Sequence, residues 1–157
     1  MRSVAVLPAL LLALAVAGAA QGTDSLPKYG EGHPLYGGQR YLARGQYWNA
    51  ADFYRLVSKN FEGTAIGSEA AFLEAESYRL GVRYPTAIRA YRRVQREYPM
   101  SQRAEEAQYR IAWCYAQGKS PTSALQAVSA VDLLLSGYPE SRFRDQALAL
   151  REEAAGR

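Results

Sequence analysis

Residues 71–99 read AFLEAESYRLGVRYPTAIRAYRRVQREYP, and the spacing in this stretch decides the fold. Ala71, Ala75 and Tyr78 recur at helical intervals and mark one apolar stripe. Gly81 and the pair Tyr84-Pro85 then interrupt the chain, and Ala87, Tyr91, Val94 and Tyr98 mark a second stripe. Two short helices separated by a tight break are therefore expected. The same pattern precedes it. Gly38, Tyr41, Ala50, Tyr54 and Val57 match Ala75, Tyr78, Ala87, Tyr91 and Val94, each 37 residues on. A further step of 37 reaches Ala112 and Tyr115; after three inserted residues near Gly118 to Thr122 the pattern resumes at Ala127, Val131 and Leu134. Self-similarity at such a period marks a repeat architecture.

The unit ends repeat as well. Tyr98-Pro99-Met100-Ser101 precedes Ala107, Tyr138-Pro139-Glu140-Ser141 precedes Ala147, and Phe61-Glu62-Gly63-Thr64 is a weaker copy before Ala70. Proline stops one helix, and Thr64, Ser101 or Ser141 can cap the next by accepting a backbone N–H bond. Ser120-Pro121 reads as a cap followed by the first helical residue. Seven helices follow, at about 35–45, 48–60, 65–81, 85–97, 101–117, 121–137 and 141–155. Small residues at 75, 87 and 112 let paired helices approach, and the tyrosines fill the space between units. The expected architecture is all-α: a right-handed α-solenoid of three helix pairs, with repeats at about 31–64, 68–101 and 105–141, closed by a polar-sided capping helix at 141–155.

Ahead of the repeats, Arg2, the apolar run Val4 to Val16 and the small residues Ala17-Gly18-Ala19 have the layout of an export signal over residues 1–20, cleaved near Ala19 or Ala20. The same stretch has a second reading as a retained anchor, although about 17 apolar residues broken by Pro8 lie at the short limit for a bilayer span. Val16-Ala17-Gly18 also resembles the start of a lipobox, but Ala19 stands where the acylated cysteine would be. The expectation is a periplasmic or otherwise exported protein without a lipid anchor. Residues 21–34, rich in Gly and Pro, read as a flexible leader, and residues 35–157 as the repeat domain.

The chain has 157 residues, a formal charge of +4, one Cys and one His. A single cysteine excludes an internal disulfide framework, and one Cys with one His falls short of a zinc site. The modest positive excess argues against nucleic acid as a partner. No spacing suggests catalysis. His33 stands alone in the leader, Cys114 reads as packing between Trp113 and Tyr115, and Glu74 with Glu76, or Glu105 with Glu106, are too close to share a helix face as an acid/base pair; solvated charge is the expectation for them. A hydrolytic or carbohydrate-active accessory role is correspondingly disfavoured.

The spacing small-x2-Tyr-x8-Ala-x3-Tyr-x2-Val-x4-Pro, met by Ala75, Tyr78, Ala87, Tyr91, Val94 and Pro99, resembles the tetratricopeptide repeat. The Tyr-Pro-x-Ser unit ends, the phrase Ala87-Ile88-Arg89-Ala90-Tyr91 and the export signal are similar to the periplasmic group around the outer-membrane assembly lipoprotein BamD. That group also includes the Tol-Pal-associated cell-division coordinator. The resemblance implies a non-catalytic, cofactor-free scaffold of the bacterial envelope that binds proteins or extended peptide segments in outer-membrane protein assembly; a Tol-Pal or peptidoglycan-associated coordinator is the alternative. It also implies a groove along the first helix of each unit, at spacings i, i+3, i+7 and i+10. The groove positions are then Glu69, Phe72, Glu76 and Arg79 in the second unit and Glu106, Tyr109 and Trp113 in the third. The three aromatics would anchor a ligand, and Glu76 and Arg79 would fix its backbone or charges; Tyr109 and Trp113 read equally well as core between units. Separately, Arg89, Arg92, Arg93 and Arg96 lie on one helical face and form a basic strip that suits an acidic partner or anionic headgroups, with a solvated outer face as the plainer reading. Any membrane contact is expected to be peripheral or through a partner.

Overall fold

A computed structural model describes residues 26–157. The expected export signal and residues 21–25 of the leader lie outside the described residues. Seven helices follow one another: α1 Tyr36–Ala43, α2 Tyr47–Asn60, α3 Ala65–Leu80, α4 Tyr84–Glu97, α5 Gln102–Ala116, α6 Pro121–Gly137 and α7 Arg144–Ala155. The described residues are thus all-α. Each helix packs on the next, and α3 with α5 and α5 with α7 touch in addition.

Local chemistry sets the helix ends. Thr64 Oγ1 accepts from the Gly67 N–H at 3.1 Å, Ser101 Oγ accepts from the Arg103 N–H at 3.1 Å, and Ser120 forms a reciprocal capping box with Ser123. Pro85 and Pro121 occupy first turns, where a missing N–H costs nothing. The last helix starts three residues later than the sequence suggests. Glu105 of α5 takes the Ser141 hydroxyl at 2.6 Å and the Arg142 N–H at 3.1 Å, and Ser141 Oγ closes a turn by accepting from the Phe143 N–H. A carboxylate from another helix thereby ties down the segment just before α7.

Most positions matched by the repeat share their burial, although Tyr41 and Tyr115 are half-buried where Tyr78 is enclosed. Ala50, Ala87 and Ala127 are fully enclosed, as are Tyr54, Tyr91 and Val131, with Val57, Val94 and Leu134 beneath them. In the first unit the approach is closest, since a Cβ at Gly38 would overlap the Tyr54 ring. Two main apolar clusters result, with a small third one of Ala116, Ala127 and Ala154. The larger runs from α3 to α7 and takes in Ala51 of α2, and the smaller holds α1 and α2 against Ala70 and Leu73, so α3 contributes to both.

The leader departs from expectation, because its described part is docked. Leu26 packs on the smaller cluster, the Tyr29 N–H donates to Gln39 Oε1 at 2.6 Å, and the Tyr29 hydroxyl donates to Glu69 Oε1 at 2.9 Å. His33 is exposed and stacks on Tyr29 with ring centroids 4.5 Å apart. Gly/Pro content marks broken helix period, not lack of attachment, and two aromatic or aliphatic side chains suffice to hold the segment.

Candidate binding surface on α3 and α5

The seven expected groove residues come from α3 and α5, and the structure brings these two helices together through charge. Arg103 is bidentate to Glu69, with Nε 2.6 Å from Oε2 and Nη2 2.7 Å from Oε1, and its Nη1 reaches Glu106 Oε2 at 2.5 Å. Arg110 stands 3.4 Å from Glu106 Oε1 and 3.3 Å from Glu76 Oε1, the second contact being an ion pair without hydrogen-bond alignment. Glu76 is bidentate to Arg79 and also accepts a hydrogen bond from the Tyr91 hydroxyl. Arg142, just before α7, adds a 3.2 Å contact to Glu106. The result is a ladder of alternating sign, Glu69–Arg103–Glu106–Arg110–Glu76–Arg79, that laces two helices from different units.

Burial gives the ladder its character. Glu76 is 0% exposed. Desolvation alone would raise its carboxyl, but the Arg79 and Arg110 charges and the hydrogen bonds from Arg79 and Tyr91 hold it below the usual carboxylate range. Desolvation and the Glu76 charge both push the Tyr91 hydroxyl well up, so it stays a donor. Arg79 is raised in turn, its desolvation outweighed by Glu76.

Two expected groove contacts are therefore corrected. Phe72, 1% exposed, belongs to the core and lies under the Arg103 guanidinium at 4.6 Å; an enclosed ring cannot anchor a ligand. Glu76 is enclosed by its own partners and cannot fix a ligand's backbone or charge. Tyr109 and Trp113 are half-buried and pack against the larger cluster. Tyr109 stacks parallel to Phe143 at 4.8 Å, while Trp113 meets Tyr84 edge-on at 5.8 Å and carries the Arg79 guanidinium 5.3 Å from its ring. Each leaves part of its ring accessible. Glu69 and Arg79 form the ends of the ladder, while Glu106, 8% exposed, is enclosed within it by Arg103, Arg110 and Arg142.

Arg103, Arg110 and Arg142 escaped the sequence reading. A signal for the first two existed: each stands 34 residues beyond a glutamate it meets, Glu69 and Glu76, and they are seven apart on the face that carries Glu106. Where the ladder ends at Glu69, an open recess of about 670 Å³ lies between the amino-terminal ends of α3 and α5. Ser68, Glu69, Tyr98, Ser101, Arg103 and Arg142 are among its walls, and the Ser68 and Ser101 hydroxyls share a 2.5 Å hydrogen bond.

The arginines of α4 do line one recess, of about 450 Å³, over Glu74 and Tyr78 of α3. Their environments differ. Arg93 pairs with Glu74 at 2.7 Å and Glu97 at 3.3 Å, and Arg96 reaches Glu97 at 3.3 Å, whereas Arg89 and Arg92 bond only to the hydroxyls of Thr86 and Tyr115 among the described residues. Glu74 is not solvated, as the sequence suggested, but buried against Arg93; desolvation raises its carboxyl despite that pairing. Glu105, half-buried, is bonded to Ser141 and the Arg142 N–H, and Glu106 is buried within the ladder. Cys114 is buried, and desolvation pushes its thiol up to about 12, which leaves it protonated and unreactive at neutral pH. No protein-family model matches the chain, and no curated protein is significantly similar to it in sequence.

Proposed function

We propose that this chain is a non-catalytic scaffold of the tetratricopeptide type, a right-handed α-solenoid similar to the BamD group, that holds extended protein segments in the bacterial envelope. One observation carries the reading. Groove positions assigned separately to α3 and α5 meet in space, joined by the ladder from Glu69 to Arg79, whose Arg110 and Arg79 guanidinium groups lie 5.9 Å and 5.3 Å from the Tyr109 and Trp113 rings and whose Glu69 end opens on the recess beside Arg103. Because its charges already satisfy one another, the surface is rigid and presents fixed dipoles; a ligand backbone meets preordered donors and acceptors, and the half-exposed rings supply apolar contact. No cofactor enters this scheme.

The test is site-specific photo-crosslinking in intact envelopes with p-benzoylphenylalanine at position 109, and at exposed Ser136 of α6 as the comparison. Light-dependent products with β-barrel assembly components from position 109 alone are expected. Products with Tol-Pal components alone would transfer the protein to that pathway, and equal products from both positions would remove the groove from the account.

A further inference from the structure

The helices α2, α4 and α6 carry further exposed apolar and basic side chains that are not part of the Glu69–Arg79 ladder. Trp48 is 53% exposed on α2, and Leu125 and Leu133 are 69% and 63% exposed on α6. Two leucines eight residues apart with Ser129 between them form an outward stripe two turns long. Between these apolar flanks stand Arg89, Arg92 and Arg96 of α4. Side chains bridge these helices although their backbones pack on α3 and α5 instead: Arg92 lines one recess with Leu125 and Leu133, Tyr78 of α3 lines the arginine recess and meets the Trp48 ring at 5.7 Å, and the Arg83 guanidinium lies 4.8 Å from the centre of that ring.

The carboxylates near this surface are matched by arginines of their own, which leaves two α4 arginines in excess. Asp52 is taken by Arg55, Asp132 by Arg151, and Glu97 by Arg93 and Arg96, while Arg89 and Arg92 have no carboxylate partner among the described residues. We infer that this surface docks peripherally on an anionic lipid bilayer, with the α4 arginines on headgroup phosphates and Trp48, Leu125 and Leu133 in the interface. Guanidinium forks fit phosphate oxygens bidentately, and Trp rings settle at the headgroup level. An acidic polypeptide would satisfy the arginines but leave the apolar flanks in water, whereas a bilayer surface satisfies both. Among the described residues no helix is long and apolar enough to cross a membrane, so the contact is a surface one.

The full chain is mixed with phosphatidylcholine vesicles with and without phosphatidylglycerol, and the bound fraction is measured by sedimentation at low and high salt. Residues 1–20 are common to all variants, so the comparison among them isolates the face. Expected is binding strengthened by phosphatidylglycerol, weakened by salt, and reduced about fivefold per charge in the triple variant Arg89→Gln, Arg92→Gln, Arg96→Gln. The corresponding triple Lys variant should retain most of the anionic preference, and Trp48→Ala with Leu133→Ser should lower binding while leaving the salt dependence. Equal binding to both vesicle types overturns the proposal. So does equal loss in the Lys and Gln triples, or competition by soluble polyglutamate that leaves no vesicle preference.

Discussion

Glu74 and Glu76 are two residues apart on one helix, both buried, and they titrate in opposite directions. Glu76 has two arginines and a tyrosine hydroxyl around it, enough to outweigh desolvation; Glu74 has Arg93 as its one bonded partner, and desolvation wins. The linkage signs follow. A carboxyl lowered in the folded state stabilises fully above the usual carboxylate range, and that contribution is lost as pH falls through the folded value. A carboxyl raised in the folded state works in reverse, and stability declines as pH rises from the usual range to the raised value. Glu76→Gln should destabilise at neutral pH by about 3 kcal/mol, because Arg79 and Arg110 lose their counter-charge, and should flatten the acid limb of stability against pH. Glu74→Gln should instead remove the decline just above the carboxylate range. Chemical denaturation followed by circular dichroism across acid to neutral pH measures both.

At the level of elements, the repeat extends to backbone detail. Helix α1 ends with the Gly45 N–H on the Leu42 carbonyl and the Gln46 N–H on that of Tyr41; α3 ends with the Val82 N–H on Arg79 and the Arg83 N–H on Tyr78. This is the same Schellman-type closure, 37 residues apart. Gly45 takes the left-handed conformation it requires at φ 68°, but in the second unit the residue at φ 59° is Val82, exposed and β-branched. A left-handed conformation costs a side chain of this kind about 1–2 kcal/mol. Val82→Gly should therefore raise stability by about 1 kcal/mol, after allowance for the freer unfolded glycine, seen as an increase in thermal midpoint. A decrease would mean that Val82 is held by packing that its exposure does not suggest.

Across the whole molecule, contacts between units matter more than helix formation within them. Arg103 crosses 34 residues to Glu69, Arg142 crosses 36 to Glu106, and Tyr29 crosses 40 to Glu69, so one glutamate receives the leader and the third unit together. Tyr29→Phe removes the hydroxyl and should weaken attachment of residues 26–34 by about 1 kcal/mol. Hydrogen exchange at the Tyr29 amide, which donates to Gln39, should accelerate while amides of α4 to α6 keep their protection. Loss of protection throughout would make the leader part of the cooperative core, and no change would remove the Tyr29–Glu69 bond from its attachment.

Apolar spacing, prolines and capping hydroxyls are local, so the sequence alone placed all seven helices of the described residues to within three residues, and the enclosed positions from Ala50 to Leu134. It also placed the four α4 arginines on one face. What it could not reach depends on which side chain comes from elsewhere. Glu105 ties down the segment before α7, Arg110 helps turn Glu76 from a groove contact into an enclosed one, Arg103 covers Phe72, and Arg93 draws in Glu74. A helical pattern specifies which residues turn inward on their own helix. Only the tertiary structure supplies the opposing charge, and for a buried carboxylate that charge decides between a free binding group and a structural tie.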